Sequence, residues 1–231
     1  MTASSDGSRP PGRGLRQRVS TARRRRASST RWLERQLNDP YVAGAKSRGW
    51  RSRAAYKLLQ LDDRFRLLKP GARVVDLGAA PGGWSQVAAQ RAAGGPVVAV
   101  DLLDIADIPG VRILKGDATD VTVLKRIRAE LGGPADLVLS DMAAAATGHR
   151  GTDHLRTMAL AEAAWRAARA LLAPGGGFVA KVLRGGADDG LLARLKRDFR
   201  RVVHAKPEAS RQESREIYVV ATGFRGDSEG C

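Results

Sequence analysis

Val74-Val75-Asp76-Leu77-Gly78-Ala79-Ala80-Pro81-Gly82-Gly83-Trp84 decides the fold of this chain. A short β-branched run ends in an acid, a glycine-rich turn follows, and a helix is expected from about Gly83. Strand, tight loop and helix N-terminus form the usual layout for holding a nucleotide-like ligand. Glycines let backbone approach a ligand with no Cβ between them. Gly78, Gly82 and Gly83 do not make the G-x-G-x-x-G of dinucleotide sites, and Pro81 removes an N–H donor from the turn. Such a loop is poorly built to cradle a pyrophosphate. It suits a ligand that carries adenosine and no phosphates, for which S-adenosylmethionine is the leading candidate. The plain alternative is an ordinary strand-to-helix turn of an α/β domain.

Two further acids favour the ligand. Pro96–Asp101 reads as the next strand and ends in Asp101, 23 residues after Gly78. A carboxylate there is placed to bind a ribose diol. The weaker strand Val111–Lys115 is followed by Asp117, which can accept from an adenine amino group. Each acid alone reads as a solvated loop residue. Three acids at successive strand ends point to one ligand-binding edge.

The 231 residues suffice for one α/β domain with a full core and a tail. The net charge of +16 is uneven: residues 1–53 hold 14 Arg or Lys against 3 acids, a net +11, which leaves +5 for residues 54–231. A basic tail on a mildly basic domain indicates nucleic acid or an anionic surface, against a tail that only aids solubility. The lone cysteine, Cys231, excludes an internal disulfide and a cysteine metal cluster, and no metal is expected. No apolar run has the ~18 residues of a membrane span, and no secretory segment is visible, so a cytoplasmic protein is expected. The Arg- and Ser-rich start has the composition of a mitochondrial transit peptide but no clear apolar face.

Residues 1–29 read as a disordered basic tail whose Arg23-Arg24-Arg25-Arg26 would contact phosphates without sequence choice. Residues 30–53 read as a basic, RNA-contacting segment. It opens with a short helix at Thr30–Leu37, and its cations are interleaved with Tyr41 and Trp50. The alternative is that both rings pack onto the domain. Residues 54–224 form the expected catalytic domain and residues 225–231 a frayed end. Within the domain, Ser52–Leu61 reads as an amphipathic helix that carries Lys57 near its apolar face. Asp136–Asp141 reads as the fourth strand, Asp153–Leu172 as a long helix ended by Ala173–Gly177, and Phe178–Leu183 as the fifth strand. Arg201–Ala205 and Glu216–Ala221 follow as the sixth and seventh. The short link between these last two allows a hairpin and no helical crossover, so the seventh strand is expected antiparallel.

Ligands in open α/β sheets sit at the carboxyl ends of the parallel strands. Asp141 ends strand four, Lys181 lies in an otherwise apolar strand five, and an antiparallel strand seven brings Glu216 to the same edge. Lys57 can reach it from the preceding helix. A buried lysine needs a reason, since its ammonium is costly to desolvate. The structural reading pairs Lys181 with Asp141; the functional reading makes it part of a Lys-Asp-Lys-Glu group.

Four stretches carry a resemblance: Arg51–Lys57, Asp76–Gln86, Ser140-Asp141-Met142, and Lys206–Arg211 with Ser214-Arg215-Glu216. In this order, over about residues 39–223, they resemble the FtsJ/RrmJ family of RNA 2′-O-ribose methyltransferases, and within it the branch acting on large-subunit (23S) ribosomal RNA. The resemblance implies a Rossmann-like, S-adenosylmethionine-dependent methyltransferase fold, with a seven-stranded mostly parallel sheet and an antiparallel last strand. It implies a catalytic tetrad at Lys57, Asp141, Lys181 and Glu216; because a 2′-hydroxyl is a weak acid and carboxylates are weak bases, Lys181 is assigned as the general base. Cofactor contacts fall at Gly82, Trp84, Asp101, Asp117 and Asp141. The implied partner is ribosomal RNA within the large subunit, methylated at a uridine in the loop that meets the aminoacyl end of tRNA; nothing in the sequence demands more than a monomer. Ala143–Gly148 departs from the family, which commonly has polar residues such as Asn there. Competing readings are methylation of tRNA or an mRNA cap, a non-catalytic RNA-binding assembly factor, and a nicotinamide dehydrogenase. The missing G-x-G-x-x-G disfavours the last, and the chain length leaves little room for a cap-binding domain.

Overall fold

A computed structural model describes Arg18 and residues 27–144, 147–184 and 189–226. Seven strands form one sheet: β1 (Val74–Leu77), β2 (Val97–Asp101), β3 (Val111–Lys115), β4 (Ala135–Ser140), β5 (Leu172–Leu183), β6 (Phe199–Ala205) and β7 (Glu216–Phe224). Their order is β3-β2-β1-β4-β5-β7-β6. β1 pairs in parallel with β2 and β4, and β7 runs antiparallel to both β5 and β6. The expected hairpin is therefore present, and Leu183 pairs with Glu216 at the carboxyl edge of β5.

Helices cover both faces, as a parallel sheet requires. α3 (Ala54–Phe65) and α4 (Gly83–Arg91) lie on one side; α5 (Val121–Leu131), α6 (Arg150–Leu171) and α7 (Asp189–Asp198) lie on the other. The two-residue period of a strand sorts its side chains between them. Val74, Leu137, Leu139, Val179, Tyr218 and Val220 pack with Tyr56 and Leu58 of α3. Val75, Val138, Phe178, Ala180, Val182 and Val219 pack with Trp165 of α6 and Leu195 of α7. Fully burying each large side chain contributes about 1.5–3 kcal/mol. The same period decides the site: Asp141, Lys181 and Glu216 share the parity of Leu139, Val179 and Tyr218, so all three fall on the face covered by α3.

Several bounds differ from the sequence reading. α1 (Ala27–Leu37) begins three residues before Thr30, so Ala27–Ser29 belong to this helix and not to a tail. Apart from Arg18, the rest of the expected tail, Arg23–Arg26 included, lies outside the described residues, as do residues 227–231. Ala173–Gly177 was expected to separate helix from strand; instead β5 starts at Leu172, directly after α6. The β4–β5 pairing jumps from Ala135↔Leu172 to Leu137↔Gly177, and the extra residues include Pro174, which has no N–H for the ladder. α2 (Pro40–Ser47) was not anticipated. Asp39 caps it by accepting from Tyr41 N, and Pro40 sits at its first position.

Candidate active site

The carboxyl ends of β1 to β4 open on a cavity of about 430 Å³, a size suited to a small ligand. Its walls are largely apolar, with Leu103, Ala118, Met142 and Leu160, and Asp101, Asp117 and Asp141 supply carboxylates. Asp101 Oδ2 accepts from Ala80 N at 2.9 Å and its Oδ1 from Leu103 N at 2.8 Å, so this acid fixes the glycine loop and the wall beyond it together. Asp117 Oδ1 accepts from Thr119 N and Oγ1, both at 2.8 Å. Gly78 has a φ of +70°, and a Cβ there would collide with Met142 Cγ, so only glycine admits this turn and this wall.

Gly82 and Trp84 do not line the cavity. Gly82 caps α4 at a φ of +106°, where a Cβ would lie 2.5 Å from Ile108 Cδ1. The Trp84 indole is buried, donates to Ala54 O at 2.8 Å and packs 5.5 Å from the Tyr218 ring. Its aromatic surface belongs to the core, because an indole in the first turn of α4 faces α3. Tyr41 and Trp50 likewise pack against the core, with Tyr41 edge-on to Tyr56 at 5.3 Å, so the packing alternative describes these rings better than RNA stacking.

The four residues of the expected tetrad meet at the cavity's edge. Lys181 Nζ lies 2.8 Å from Asp141 Oδ1, donates to Asp141 O at 2.8 Å, and is 3.9 Å from Glu216 Oε1. Lys57 Nζ is 3.4 Å from Glu216 Oε2 and 3.9 Å from Asp141 Oδ2. Both lysines are nearly covered, at 6% and 8% relative exposure, so neither is a solvated surface cation. Two cations and two carboxylates cancel, which is the condition for shielding such a group from water. Asp141 joins the two halves: it lines the cavity and sits between the lysines. Among the described residues no group of His, Cys, Asp and Glu is arranged to hold a metal.

Sequence reasoning missed a fifth member. Tyr218 Oη donates to Asp141 Oδ1 at 2.6 Å, and Lys57 Nζ stands 5.6 Å from the Tyr218 ring centroid. A tyrosine between Ile217 and Val219 reads as core. The usable signal was register, since Tyr218 pairs directly with Lys181 once β5 and β7 are joined. Burial and the Asp141 carboxylate push the Tyr218 phenol well above its usual range, so it remains a donor. Burial pushes Asp141 up, but Lys57, Lys181 and the bonds from Lys181 and Tyr218 outweigh it and hold the carboxyl below its ordinary value. Neither group is suited to remove a proton from an alcohol.

Asp76 is buried within β1 and accepts from Ser85 Oγ at 2.6 Å, tying the strand to α4 beneath the loop. Burial pushes its carboxyl up from 3.8 to about 7, Ser85 opposes this, and the Asp141 and Asp101 carboxylates add to it. A raised folded value means the stability from this proton is fully present below 3.8 and is lost as pH rises through about 7. Wild-type stability should carry a falling component between these limits, of up to about 1.4 kcal/mol per pH unit. Asp76→Asn, which cannot ionise, should lack it in denaturant titrations across this range. Parallel profiles for the two proteins would show that Asp76 is ionised in the fold.

The sheet order, with a cavity at the carboxyl edge of its parallel strands, is that of a Rossmann-like fold. The profile of the FtsJ-like methyltransferase family matches residues 50–224, and the chain belongs to that family. A protein of Xanthobacter autotrophicus named ribosomal RNA large subunit methyltransferase E is 58% identical over 224 residues, covering 95% of this chain and 88% of its own. A protein of the same name from Zymomonas mobilis is 61% identical over 212 residues, covering 92% and 96%. The crystal structure of a protein from Plasmodium falciparum, described as a ribosomal RNA methyltransferase, superposes with a TM-score of 0.69 at 30% identity, covering 77% of this chain and 100% of that one. The nicotinamide dehydrogenase reading falls with this membership. No helix among the described residues is long and apolar enough to cross a membrane.

Proposed function

We propose that this enzyme methylates a ribose 2′-hydroxyl in large-subunit ribosomal RNA, at a uridine of the loop that meets the aminoacyl end of tRNA. The observation that carries this reading is Asp141, which belongs both to the cavity wall and to the Lys57–Lys181–Glu216 cluster. A nucleoside site and a proton-handling site share one residue. The names of the relatives support the RNA substrate. The favoured working unit is a monomer in the cytoplasm, with the large subunit as its target, and the basic N-terminal tail adds affinity through phosphate contacts.

The cavity fits S-adenosylmethionine. Its apolar walls can sandwich an adenine, and Asp101 and Asp117, which line it, are the acceptors proposed for the ribose diol and the amino group. Gly82 and Trp84 contribute by shaping the loop. When bound, the cofactor supplies an already activated methyl group. The chain's own task is the alcohol, a weak acid that must lose its proton as its oxygen attacks. Lys181 Nζ takes that proton as general base. Lys57 stands across the same two carboxylates, 3.4 Å from Glu216 Oε2 and 3.9 Å from Asp141 Oδ2. Asp141 holds Lys181 in place, Glu216 holds Lys57, and the four together orient the ribose, so that positioning supplies much of the acceleration.

Asp101→Ala removes a carboxylate whose hydrogen bonds to a ligand contribute ~1.5–3 kcal/mol. S-adenosylhomocysteine should then bind roughly tenfold to a hundredfold more weakly by calorimetry. Unaltered affinity would remove Asp101 from the site. The reading as a whole is tested by mapping ribose methyls by mass in ribosomal RNA from cells lacking this gene. One large-subunit uridine should lose its methyl and regain it when the gene is restored. An unchanged map would reject the substrate.

A further inference from the structure

Arg51 opens the Arg51–Lys57 stretch, yet it lies outside both the cavity lining and the lysine cluster. Its guanidinium Nη1 donates to Pro81 O at 3.1 Å and to Ala106 O at 2.6 Å, and Nη2 donates to Asp107 O at 2.5 Å. One side chain therefore clasps two separate loops, the glycine loop after β1 and the loop after β2. The backbone on which it stands is itself pinned. Arg51 N donates to Gln86 Oε1 at 2.8 Å, and Gln86 Nε2 donates to Gly49 O at 3.0 Å, which anchors this segment to α4. Gly82 completes the knot, since a Cβ there would lie 3.2 Å from Arg51 Nη1 and 2.5 Å from Ile108 Cδ1.

The loop after β2 needs such a clasp. Residues 102–110 form neither helix nor strand, and only Ile108 is buried. Leu102 and Leu103 are 65% and 67% exposed, yet both line the cavity. Their half of the wall is held by the Asp101 bond to Leu103 N, by the exposed Lys115–Asp104 pair at 2.6 Å, and by Arg51 at the loop's far end. A planar guanidinium can serve three carbonyls at fixed angles; an ammonium on a flexible stem cannot hold the same fork.

We infer that Arg51 is a positioning residue that holds the Leu102–Leu103 wall against the cavity and so sets how tightly the adenosyl ligand is held. It touches neither the ligand nor the reacting atoms. The inference rests on the reading of this cavity as the cofactor site. It assigns Arg51 to cofactor affinity, distinct from the phosphate contacts that a basic segment otherwise suggests.

The test uses the full chain with Arg51→Lys and Arg51→Ala. Calorimetry reads S-adenosylhomocysteine affinity, and methyl transfer to large ribosomal subunits reads kcat and KM for S-adenosylmethionine. Losing two or three ordinary hydrogen bonds should weaken ligand binding by about tenfold or more and raise the cofactor KM similarly. The kcat at saturating cofactor and RNA should stay within about threefold of wild type, because the lysine cluster is untouched. Arg51→Lys should fall near Arg51→Ala. Should Arg51→Ala not fold, Arg51→Lys, which keeps the charge, decides alone. Wild-type affinity in Arg51→Lys, or a loss confined to kcat or to RNA binding, would overturn the inference. If the wild-type chain itself bound no S-adenosylhomocysteine, the cavity assignment would fail first.

Discussion

Lys181→Ala should lose methyl transfer by ~10²-fold or more while still folding and binding both cofactor and RNA. The expectation rests on Lys181 Nζ standing among Asp141, Glu216 and Lys57 at the edge of the cavity, with a side chain of 6% exposure. Neither Asp141, held low by its two lysines, nor Tyr218, whose phenol is pushed high, is suited to be the base. Lys181→Arg makes the test sharper. Arginine keeps the positive charge beside Asp141 but does not release its proton, so it should be nearly as inactive as alanine. Lys181→Ala loses stability on either reading, because Asp141 loses a partner; a purely structural Lys181 differs in predicting that activity per folded molecule is largely kept and that Lys181→Arg is active. Transfer rates at saturating substrates, set beside melting curves of the same samples, separate the two.

Asp141→Asn should have the second large effect, and on two properties at once. It leaves Lys57 and Lys181 facing one another with only Glu216 to balance them, at 3.4 and 3.9 Å. Removing one partner from a shielded ion cluster costs about 3–5 kcal/mol. Misplacing the base by about 1 Å costs about 10²-fold in rate. The stability difference should depend on pH. Because the Asp141 carboxyl is held below its ordinary 3.8, the stability it contributes is present above that value and is lost as pH falls through the lower folded value. Wild type and Asp141→Asn should therefore converge in acid and diverge towards neutrality. A variant with wild-type stability at neutral pH and activity within about threefold would remove Asp141 from the centre of the site.

Much of this arrangement was legible in the chain because it follows from parity and topology. An acid at the end of β4, a lysine in an apolar β5 and an acid opening an antiparallel β7 are brought to one edge by rules of strand direction alone. Lys57 was less legible: its position near an apolar helix face allowed burial without requiring it, and the resemblance supplied the role. Trp84 entered through the resemblance alone, and no sequence pattern shows that the first turn of α4 faces α3, where the indole finds Ala54 O. Tyr218 was invisible because one hydroxyl among apolar strand residues leaves no pattern until register pairs it with Lys181. Arg51 was invisible for a different reason. Its partners are three backbone carbonyls, which every residue possesses, so no sequence pattern encodes the contact. The early start of β5 was hidden by Pro174 and the glycines after it, which read as a break and act as a bulge.

The central claim is that the acceptor is a ribose 2′-oxygen of large-subunit RNA, and the site of label incorporation tests it most directly. The full chain is incubated with methyl-labelled S-adenosylmethionine and large ribosomal subunits from cells lacking the gene, and the RNA is then digested with alkali. A 2′-O-methyl blocks attack of that oxygen on the adjoining phosphate, so the label should be recovered in one alkali-resistant dinucleotide. Label released in ordinary mononucleotides would place the methyl on a base, and that result would contradict the account.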